Sequence, residues 1–382
     1  MPINPVSFAA DLIRCPSVTP RDAGALDVLQ QALETLGFDC TRLPFEEDGT
    51  ARVDNLYARY GSGAPHFCFA GHTDVVPVGD AEAWQEDPFA GTIKDGALWG
   101  RGAADMKGAI AAFVAAAERV IANTPIKGSI SLLITGDEEG PSVNGTIKML
   151  KWLEEQGQTI DDCLVGEPTN PKQMGDMVKI GRRGSVNGVV TVTGKQGHVA
   201  YPDRADNPVP HLMRLMNALQ NTPIDEGSEH FQPSNLEVTS FDVGNATTNV
   251  IPAIAQARFN IRYNDLWTRD TISNWIEETL ESQRDDCDMR LELIHSGESF
   301  LTETGPLTDM IAQAIHDVTG READLSTTGG TSDARFISKY CRVVEFGLVG
   351  QTMHQVDEHV QTSDIETLTE IYNRILGAYF AA

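Results

Sequence analysis

Three short apolar runs in the first half of the chain each end at a histidine or at acidic residues. The runs and their polar ends are 67–71 with His72, 129–135 with Asp137-Glu138-Glu139, and 163–165 with Glu167. Helical patterns separate the runs, and this alternation is typical of a parallel sheet covered by helices on both faces. Because ligands of such sheets bind beyond the carboxyl ends of the strands, we expect these polar residues to share one site.

The pattern changes near residue 180 and changes back near residue 296. The intervening strand and helix patterns follow the order β-α-β-β-α-β, at 186–194, 207–221, 235–243, 253–263, 269–284 and 289–295. This order predicts a small ferredoxin-like α+β sandwich. We therefore predict an α/β domain with a mostly parallel sheet, formed by residues 1–179 and 296–382, with a second domain, 180–295, inserted into it. A length of 382 residues suits two separate cores.

The chain is strongly acidic, with 29 basic against 55 acidic residues and a formal net charge of −26. Such a field repels nucleic acids and anionic membrane surfaces, so we exclude both as partners. A small substrate that is itself anionic would need cations placed close to its site.

Signals for export or membrane insertion are missing from the sequence pattern. The first 14 residues have no basic region and no long apolar core, so we expect no signal peptide. The longest apolar stretch, 109–117, is too short to span a membrane. Six cysteines are scattered without a CxxC pair, which favours reduced thiols. We therefore predict a cytoplasmic protein.

Two histidines and three carboxylates are the candidate metal ligands, namely His72, Asp105, Glu139, Glu167 and His354. This donor set suits zinc, with cobalt or manganese as replacements. Five ligands are too many for one catalytic zinc with an open position, but they suit two ions about 3.5–4 Å apart. Taken singly, Asp105 could instead cap the helix that follows it, and Glu167 could be a solvated loop acid.

Two further acids have proposed roles beside the ligands. Asp74 lies two residues after His72 and would point to the same side of an extended chain, where it could fix which ring nitrogen binds metal. Glu138 adjoins Glu139, so one of the pair can bind metal while Glu138 acts as general base. The alternative for Asp74 is an ordinary turn residue with no role at His72. The alternative for Glu138 and Glu139 is a pair of solvated acids.

Together these stretches resemble the dinuclear zinc amidohydrolase family that includes aminoacylase, acetylornithine deacetylase, glutamate carboxypeptidases and succinyl-diaminopimelate desuccinylase. The resemblance spans essentially the whole chain and implies a zinc-exopeptidase-like catalytic domain. The motifs that carry it are Gly71-His-Thr-Asp-Val-Val-Pro77, Gly100-Arg-Gly-Ala-Ala-Asp-Met-Lys-Gly108, Asp137-Glu-Glu139, Gly166-Glu-Pro168 and His354.

Further stretches are similar to the desuccinylase branch of this family: Ile180-Gly-Arg-Arg-Gly-Ser185, Gly197-His-Val-Ala-Tyr-Pro202, Thr248-Asn-Val-Ile-Pro252 and Ser326-Thr-Thr-Gly-Gly-Thr-Ser-Asp-Ala-Arg-Phe336. The implied reaction is hydrolysis of N-succinyl-LL-2,6-diaminopimelate to succinate and LL-2,6-diaminopimelate, a step of lysine and diaminopimelate biosynthesis. One departure is Gly350, where many desuccinylases carry an asparagine, and it puts one substrate contact in question.

The resemblance also implies roles for single residues. Asp105 would bridge two zinc ions, with His72 and Glu167 completing one site and Glu139 and His354 the other. The implied substrate contacts are Arg183, Asn249, Arg262, Gly330 and Thr331. A guanidinium can hold a carboxylate through two hydrogen bonds, although both arginines could instead form surface ion pairs.

The resemblance further implies a homodimer formed through the inserted domain. His198, a catalytic candidate in the Gly-His motif, would then act beside the substrate carbonyl oxygen of the neighbouring subunit. Two alternatives stay open. One is a related deacylase, such as acetylornithine deacetylase or a broad aminoacylase; the other is a catalytically dead dimeric binding protein of the same fold.

Overall fold

The computed structural model describes residues 2–381 and divides the chain into two compact units. The strands are β1 (Asp39–Arg42), β2 (Leu56–Gly61), β3 (His66–His72), β4 (Thr92–Lys94), β5 (Ala97–Trp99), β6 (Ser129–Thr135), β7 (Asp162–Val165), β8 (Met177–Lys179), β9 (Gly181–Arg182), β10 (Gly184–Thr193), β11 (Gly197–His198), β12 (Asn235–Asp242), β13 (Val250–Ile251), β14 (Ile254–Tyr263), β15 (Asp288–Gly297), β16 (Phe300–Leu301), β17 (Asp324–Ser326), β18 (Arg342–Glu345) and β19 (His359–Gln361).

The α-helices are α1 (Pro5–Ile13), α2 (Ala25–Thr35), α3 (Gly108–Asn123), α4 (Thr146–Glu155), α5 (Pro208–Asn221), α6 (Arg269–Glu281), α7 (Pro306–Thr319), α8 (Ala334–Ile337) and α9 (Thr362–Ala381). No helix within residues 2–381 is both long and apolar enough to cross a bilayer.

The first unit is built on an eight-stranded mixed sheet in the order β1-β2-β6-β3-β7-β18-β8-β17. Its centre is parallel, because β3 pairs in parallel with both β6 and β7, and β7 pairs in parallel with β18. Every residue of β3, β6 and β7 is buried, as expected for strands covered on both faces. Antiparallel pairs lie nearer the edges, where β2 joins β1 and β6.

Helix α3 lies in the core of this unit. Its first ten residues are all buried, and they are mostly alanines, which allow close packing and favour helix. Phe113 on this helix stacks on Phe69 of β3 at 4.3 Å between ring centroids, and Tyr372 of α9 meets Phe69 edge to face. The helix therefore fixes β3, which ends at His72.

The second unit is a four-stranded antiparallel sheet in the order β12-β14-β10-β15, with α5 and α6 joining the strands in β-α-β-β-α-β order. Apolar side chains from one face of the sheet and from both helices form its core, including Val190, Leu212, Phe259, Ile261 and Ile276. The ferredoxin-like prediction is confirmed, and so is the α/β class of the whole chain.

The border of the inserted unit differs from the predicted one. The structure assigns Gly181–Leu301 and Thr327–Thr331 to the second unit, whereas the sequence pattern ended it at residue 295. The reason is local pairing: β16 pairs with β9, a contact that two-residue strands do not reveal in a sequence pattern. Ile180 and Thr302 are the residues of the first unit that flank this insertion, and the Thr302 N–H donates to the Ile180 carbonyl at 2.7 Å.

Candidate metal centre and active site

The three central strands of the first unit end at one edge of the sheet. In the parallel register, His72 at the end of β3 is aligned with Thr135 at the end of β6, and Ala70 is aligned with Val165 at the end of β7. Glu138 and Glu139 follow β6 and Glu167 follows β7, so these acids start from the same edge as His72. The sequence pattern predicted this meeting of strand ends.

The His72 ring has a defined orientation. The ring is buried, and its Nδ1–H donates to the backbone carbonyl of Asp74 at 2.8 Å. The other nitrogen, Nε2, faces Asp105 Oδ1 at 3.2 Å and Glu167 Oε1 at 3.6 Å. The carbonyl bond thus selects Nε2 as the nitrogen available to a metal.

The His354 ring forms a second group on the other side of Asp105. Its Nε2 lies 2.9 Å from Glu139 Oε1 and 3.2 Å from Asp105 Oδ2. The two carboxylate oxygens of Asp105 therefore face two different histidines, which is the arrangement that a ligand shared by two ions requires. The backbone of His354 has φ 63°, in the left-handed region that non-glycine residues seldom adopt.

The donor set fits divalent cations. In a tetrahedral zinc site with bonds of about 2.0–2.1 Å, neighbouring ligand atoms lie about 3.3 Å apart. The four nitrogen–oxygen distances from the two histidines to Asp105, Glu167 and Glu139 range from 2.9 to 3.6 Å. The cluster also gathers four carboxylates, Asp105, Glu138, Glu139 and Glu167, whose mutual repulsion two cations would relieve.

The electrostatics of the cluster show this repulsion. The pKa of Glu138 is raised to about 8: burial is the main cause, His72 opposes it, and the neighbouring carboxylates of Asp333, Asp105 and Glu139 add to the rise. Burial also raises the pKa of Glu167, with Asp105 and Glu138 adding to the effect. Hydrogen bonds to Asp105 and Glu139 raise the pKa of His354 to about 10. The chain thus holds protons where cations would otherwise balance its charge.

The role of the Asp74 carboxylate in orienting the His72 ring stays a prediction. Asp74 Oδ1 lies 3.6 Å from His72 Nδ1, and the hydrogen bond of this nitrogen goes to the Asp74 backbone carbonyl. The carboxylate accepts from the backbone N–H groups of Glu138 at 3.3 Å and Glu139 at 3.1 Å. Asp74 therefore holds the turn that carries the two glutamates.

Glu138 lies within the same cluster as the ligands. Ligand-type atoms of His72, Glu138 and Glu167 lie within 4.8 Å of one another, as do those of His72, Asp105 and Glu139. Position alone does not distinguish a ligand from a base here, so the role of Glu138 as base stays a prediction.

The predicted substrate contacts all lie in the second unit, as does His198. The structure brings His198 and Asn249 together, because β11 pairs with β13 and the Val199 N–H donates to the Asn249 carbonyl at 3.2 Å. It also brings Arg183 close enough to Arg262 for repulsion to add to burial in lowering the pKa of Arg183. Gly330 is exposed and Thr331 is half-buried.

Several residues that support the site were missed by sequence reasoning. Asn55 accepts from the Thr135 hydroxyl and the Gly136 N–H, and so holds the end of β6. Arg101 and Glu358 form a buried ion pair beside Asp105. Arg101 belongs to the motif of residues 100–108, but no spacing in the sequence identified Glu358 as its partner.

Comparisons with known proteins agree with this geometry. Residues 68–378 match the model of peptidase family M20/M25/M40. The chain is 60% identical over 377 residues to the succinyl-diaminopimelate desuccinylase of Beijerinckia indica, covering 98% of both chains. It is 58% identical over 379 residues to the enzyme of the same name from Rhodospirillum centenum, covering 99% of this chain and 98% of that one.

Solved structures share the fold at low sequence identity. A tripeptidase from Staphylococcus aureus aligns over 100% of both chains with a TM-score of 0.80 and 18% identity. A dinuclear metal binding peptidase of the M20 family from Bacillus subtilis aligns over 99% of this chain and 98% of its own, with a TM-score of 0.72 and 14% identity. On the family match and the identity to its relatives, the chain belongs to peptidase family M20/M25/M40.

Proposed function

We propose that this chain is a metal-dependent amidohydrolase that cleaves N-succinyl-LL-2,6-diaminopimelate to succinate and LL-2,6-diaminopimelate, in lysine and diaminopimelate biosynthesis. The observation that carries the proposal is the near full-length identity of 58–60% to two proteins named succinyl-diaminopimelate desuccinylase. The matches span 98–99% of this chain and therefore cover both units.

The ligands would be His72, Glu167 and Asp105 for one ion, and His354, Glu139 and Asp105 for the other. We propose zinc for both, with cobalt as a possible replacement, since imidazole and carboxylate donors suit either metal. When bound, the ions supply Lewis acidity, which polarises the amide carbonyl and acidifies water. The distances from each histidine to Asp105 and to its own glutamate support this division.

Glu138 would move the proton of the reaction. Its carboxylate takes a proton from the attacking water and gives it to the departing amine, so one residue serves as base and then as acid. Its backbone N–H donates to Asp74, which keeps the carboxylate at the edge of the cluster. The partly buried setting suits a base that must also act as an acid near neutral pH.

Arg183 and Arg262 are proposed to bind a substrate carboxylate. They lie close together in the second unit, and burial lowers the pKa of both. Within residues 2–381, Arg183 Nη1 donates to Asn235 Oδ1 at 2.8 Å and Arg262 Nε donates to Asn260 Oδ1 at 3.0 Å. Two neighbouring guanidiniums bonded to neutral amides, in a chain of net charge −26, form a place where an anion is attracted. Asn249, Gly330 and Thr331 complete the proposed contacts.

His198 would donate to the carbonyl oxygen as negative charge develops there. The Ala200 N–H donates to His198 Nδ1 at 3.1 Å, so the proton of the neutral ring lies on Nε2. This exposed Nε2–H is a free donor of the kind that stabilises an oxyanion. We propose that it serves the neighbouring subunit of a homodimer that forms through the second unit.

Mixing two inactive variants tests this dimer. If His198→Ala and Glu138→Gln proteins exchange subunits at random, half of the dimers are hybrids and each has one site without either defect. Activity should therefore return to about a quarter of the wild-type value. A mixture that exchanges subunits and stays inactive would show that His198 serves its own subunit or none.

A substrate screen with added zinc tests the reaction. N-succinyl-LL-2,6-diaminopimelate, N-succinyl-ornithine and N-acetyl-ornithine are compared by kcat/KM, with Glu138→Gln protein as the blank. The proposal requires the first compound to be preferred. A preference for N-acetyl-ornithine would identify a related deacylase, and metal binding without turnover of any compound would favour a binding protein.

The cytoplasmic location stays a prediction from the free cysteines.

A further inference from the structure

Arg101 and Glu358 form an ion pair that is fully enclosed in the first unit. Arg101 Nη1 donates to Glu358 Oε2 at 2.6 Å, and the two side chains are 2% and 0% exposed. Removing two charges from water is costly, and a buried pair of this kind is often no more stabilising than apolar residues of the same volume. Its presence therefore calls for a role other than stability.

The second oxygen of Glu358 is bonded to the backbone that carries Asp105. Glu358 Oε1 accepts from the Ala104 N–H at 2.9 Å and from the Asp105 N–H at 3.2 Å. Asp105 is the residue whose two oxygens face His72 and His354. The position of this shared ligand thus depends on a carboxylate that itself contacts neither histidine.

The guanidinium of Arg101 reaches two other segments of the cluster. Nη2 donates to the Pro77 carbonyl at 3.3 Å, in the loop that follows His72, and lies 3.5 Å from the His354 carbonyl. Nη1 also donates to the Gln355 carbonyl at 3.1 Å. One side chain therefore holds the His72 loop and the His354 segment together.

The His354 segment needs such support. Its left-handed backbone, with φ 63°, is unfavourable for a residue with a Cβ and persists only where the surroundings hold it. The bonds from Arg101 to the carbonyls of residues 354 and 355 supply this. Strand pairing brings the two charges together: Trp99 of β5, two residues before Arg101, is aligned with His359 of β19, the residue after Glu358.

We propose that Arg101 and Glu358 are positioning residues that set the separation between the two halves of the candidate metal cluster. They hold the Asp105 backbone, the His354 segment and the loop after His72 in one rigid arrangement. The proposal rests on the proposed function only in taking these residues as metal ligands. Loss of the ion pair should loosen metal binding before it unfolds the chain.

The test compares zinc affinity of Glu358→Gln with that of the wild-type protein, by competition with a chromogenic chelator. Glutamine keeps the size of the side chain but removes the charge that Arg101 requires. Loss of a partner that orients a ligand typically weakens metal affinity about 10–100-fold, and we expect a change in this range. The absorption spectrum of the cobalt-loaded protein should change as well, because the ligand geometry changes.

The matched control is Asp162→Asn. Asp162 is a buried acid paired with Arg342 at the start of β7, the strand whose other end leads to Glu167. We expect this variant to lower the unfolding temperature without changing zinc affinity. Wild-type affinity in Glu358→Gln, or an equal loss of affinity in Asp162→Asn, would overturn the proposal.

Arg101→Lys provides a second test if Glu358→Gln does not fold. Lysine keeps the charge near Glu358 but cannot bond to several carbonyls through a planar fork. It should weaken zinc binding while the chain stays folded, and wild-type affinity would contradict the proposal. Both measurements use metal alone, so a different substrate would refute the desuccinylase function without touching this inference.

Discussion

Replacing Asp74 by asparagine separates two roles that the residue could have. The structure shows its carboxylate accepting from the N–H groups of Glu138 and Glu139, while the His72 ring is held by a backbone carbonyl. Asparagine has one acceptor oxygen, and its NH₂ group would face one of these N–H donors. The change therefore disturbs the turn with the glutamates and leaves the orientation of His72 intact.

The magnitude follows from the lost hydrogen bond. A hydrogen bond to a charged group contributes about 1.5–3 kcal/mol, and Asp74→Asn removes about one of the two. Expressed fully in the transition state, this corresponds to about a 10- to 150-fold fall in kcat. Because Glu138 is displaced as well as Glu139, saturating zinc should not restore the rate.

The assay measures kcat on N-succinyl-LL-2,6-diaminopimelate at rising zinc concentrations, with Thr73→Val as the control. Thr73 is buried beside Asp74, and its hydroxyl has no partner within the described residues, so valine removes no bond. We expect the control to keep wild-type kcat. Full recovery of Asp74→Asn at saturating zinc would refute the reasoning, because it would mean that Asp74 acts only on metal affinity.

Three more outcomes are expected. Glu138→Gln should keep bound zinc, measured by elemental analysis, and lose nearly all turnover; loss of metal in proportion to activity would reverse the roles of Glu138 and Glu139. Chelation should abolish activity reversibly and leave the circular dichroism spectrum unchanged, because five ligands contribute little to a core of this size. His66 is buried, and burial lowers its pKa below the ordinary value, so the unfolded chain takes up a proton near pH 6.5 while the folded chain does not. Stability should therefore fall as the pH drops below 6.5, by at most about 1.4 kcal/mol per pH unit from this residue, and urea titrations of His66→Asn should lack this contribution.

The sequence pattern predicted the parts of the fold that depend on long apolar runs. Buried strands such as β3 and β6 have an apolar composition that solvent-facing segments lack. The polar residues at the ends of these strands indicated where the site lies. Strand β1 was missed because Asp39–Arg42 is polar and half-exposed, and it is recognised only by its pairing with β2.

What sequence reasoning did not show at the site has physical causes. The rule that residues two apart share a side holds only in an extended chain, and β3 ends at His72, so the rule alone does not place the Asp74 carboxylate. Arg101 and Glu358 are 257 residues apart, and 29 basic and 55 acidic residues offer too many pairs for charge alone to select one. Contacts of this kind depend on tertiary structure.

The hydrogen bond between Thr302 and Ile180 has a consequence for how such a chain can change over time. The segment between them leaves the α/β unit and returns to it at points whose backbone N and O atoms are 2.7 Å apart. In the first unit, the insertion therefore has the geometry of a loop whose two ends lie side by side. The entropy cost of closing a loop rises only slowly with its length. An ancestor could have gained, enlarged or exchanged this segment as a module while the strands that carry the ligands kept their register.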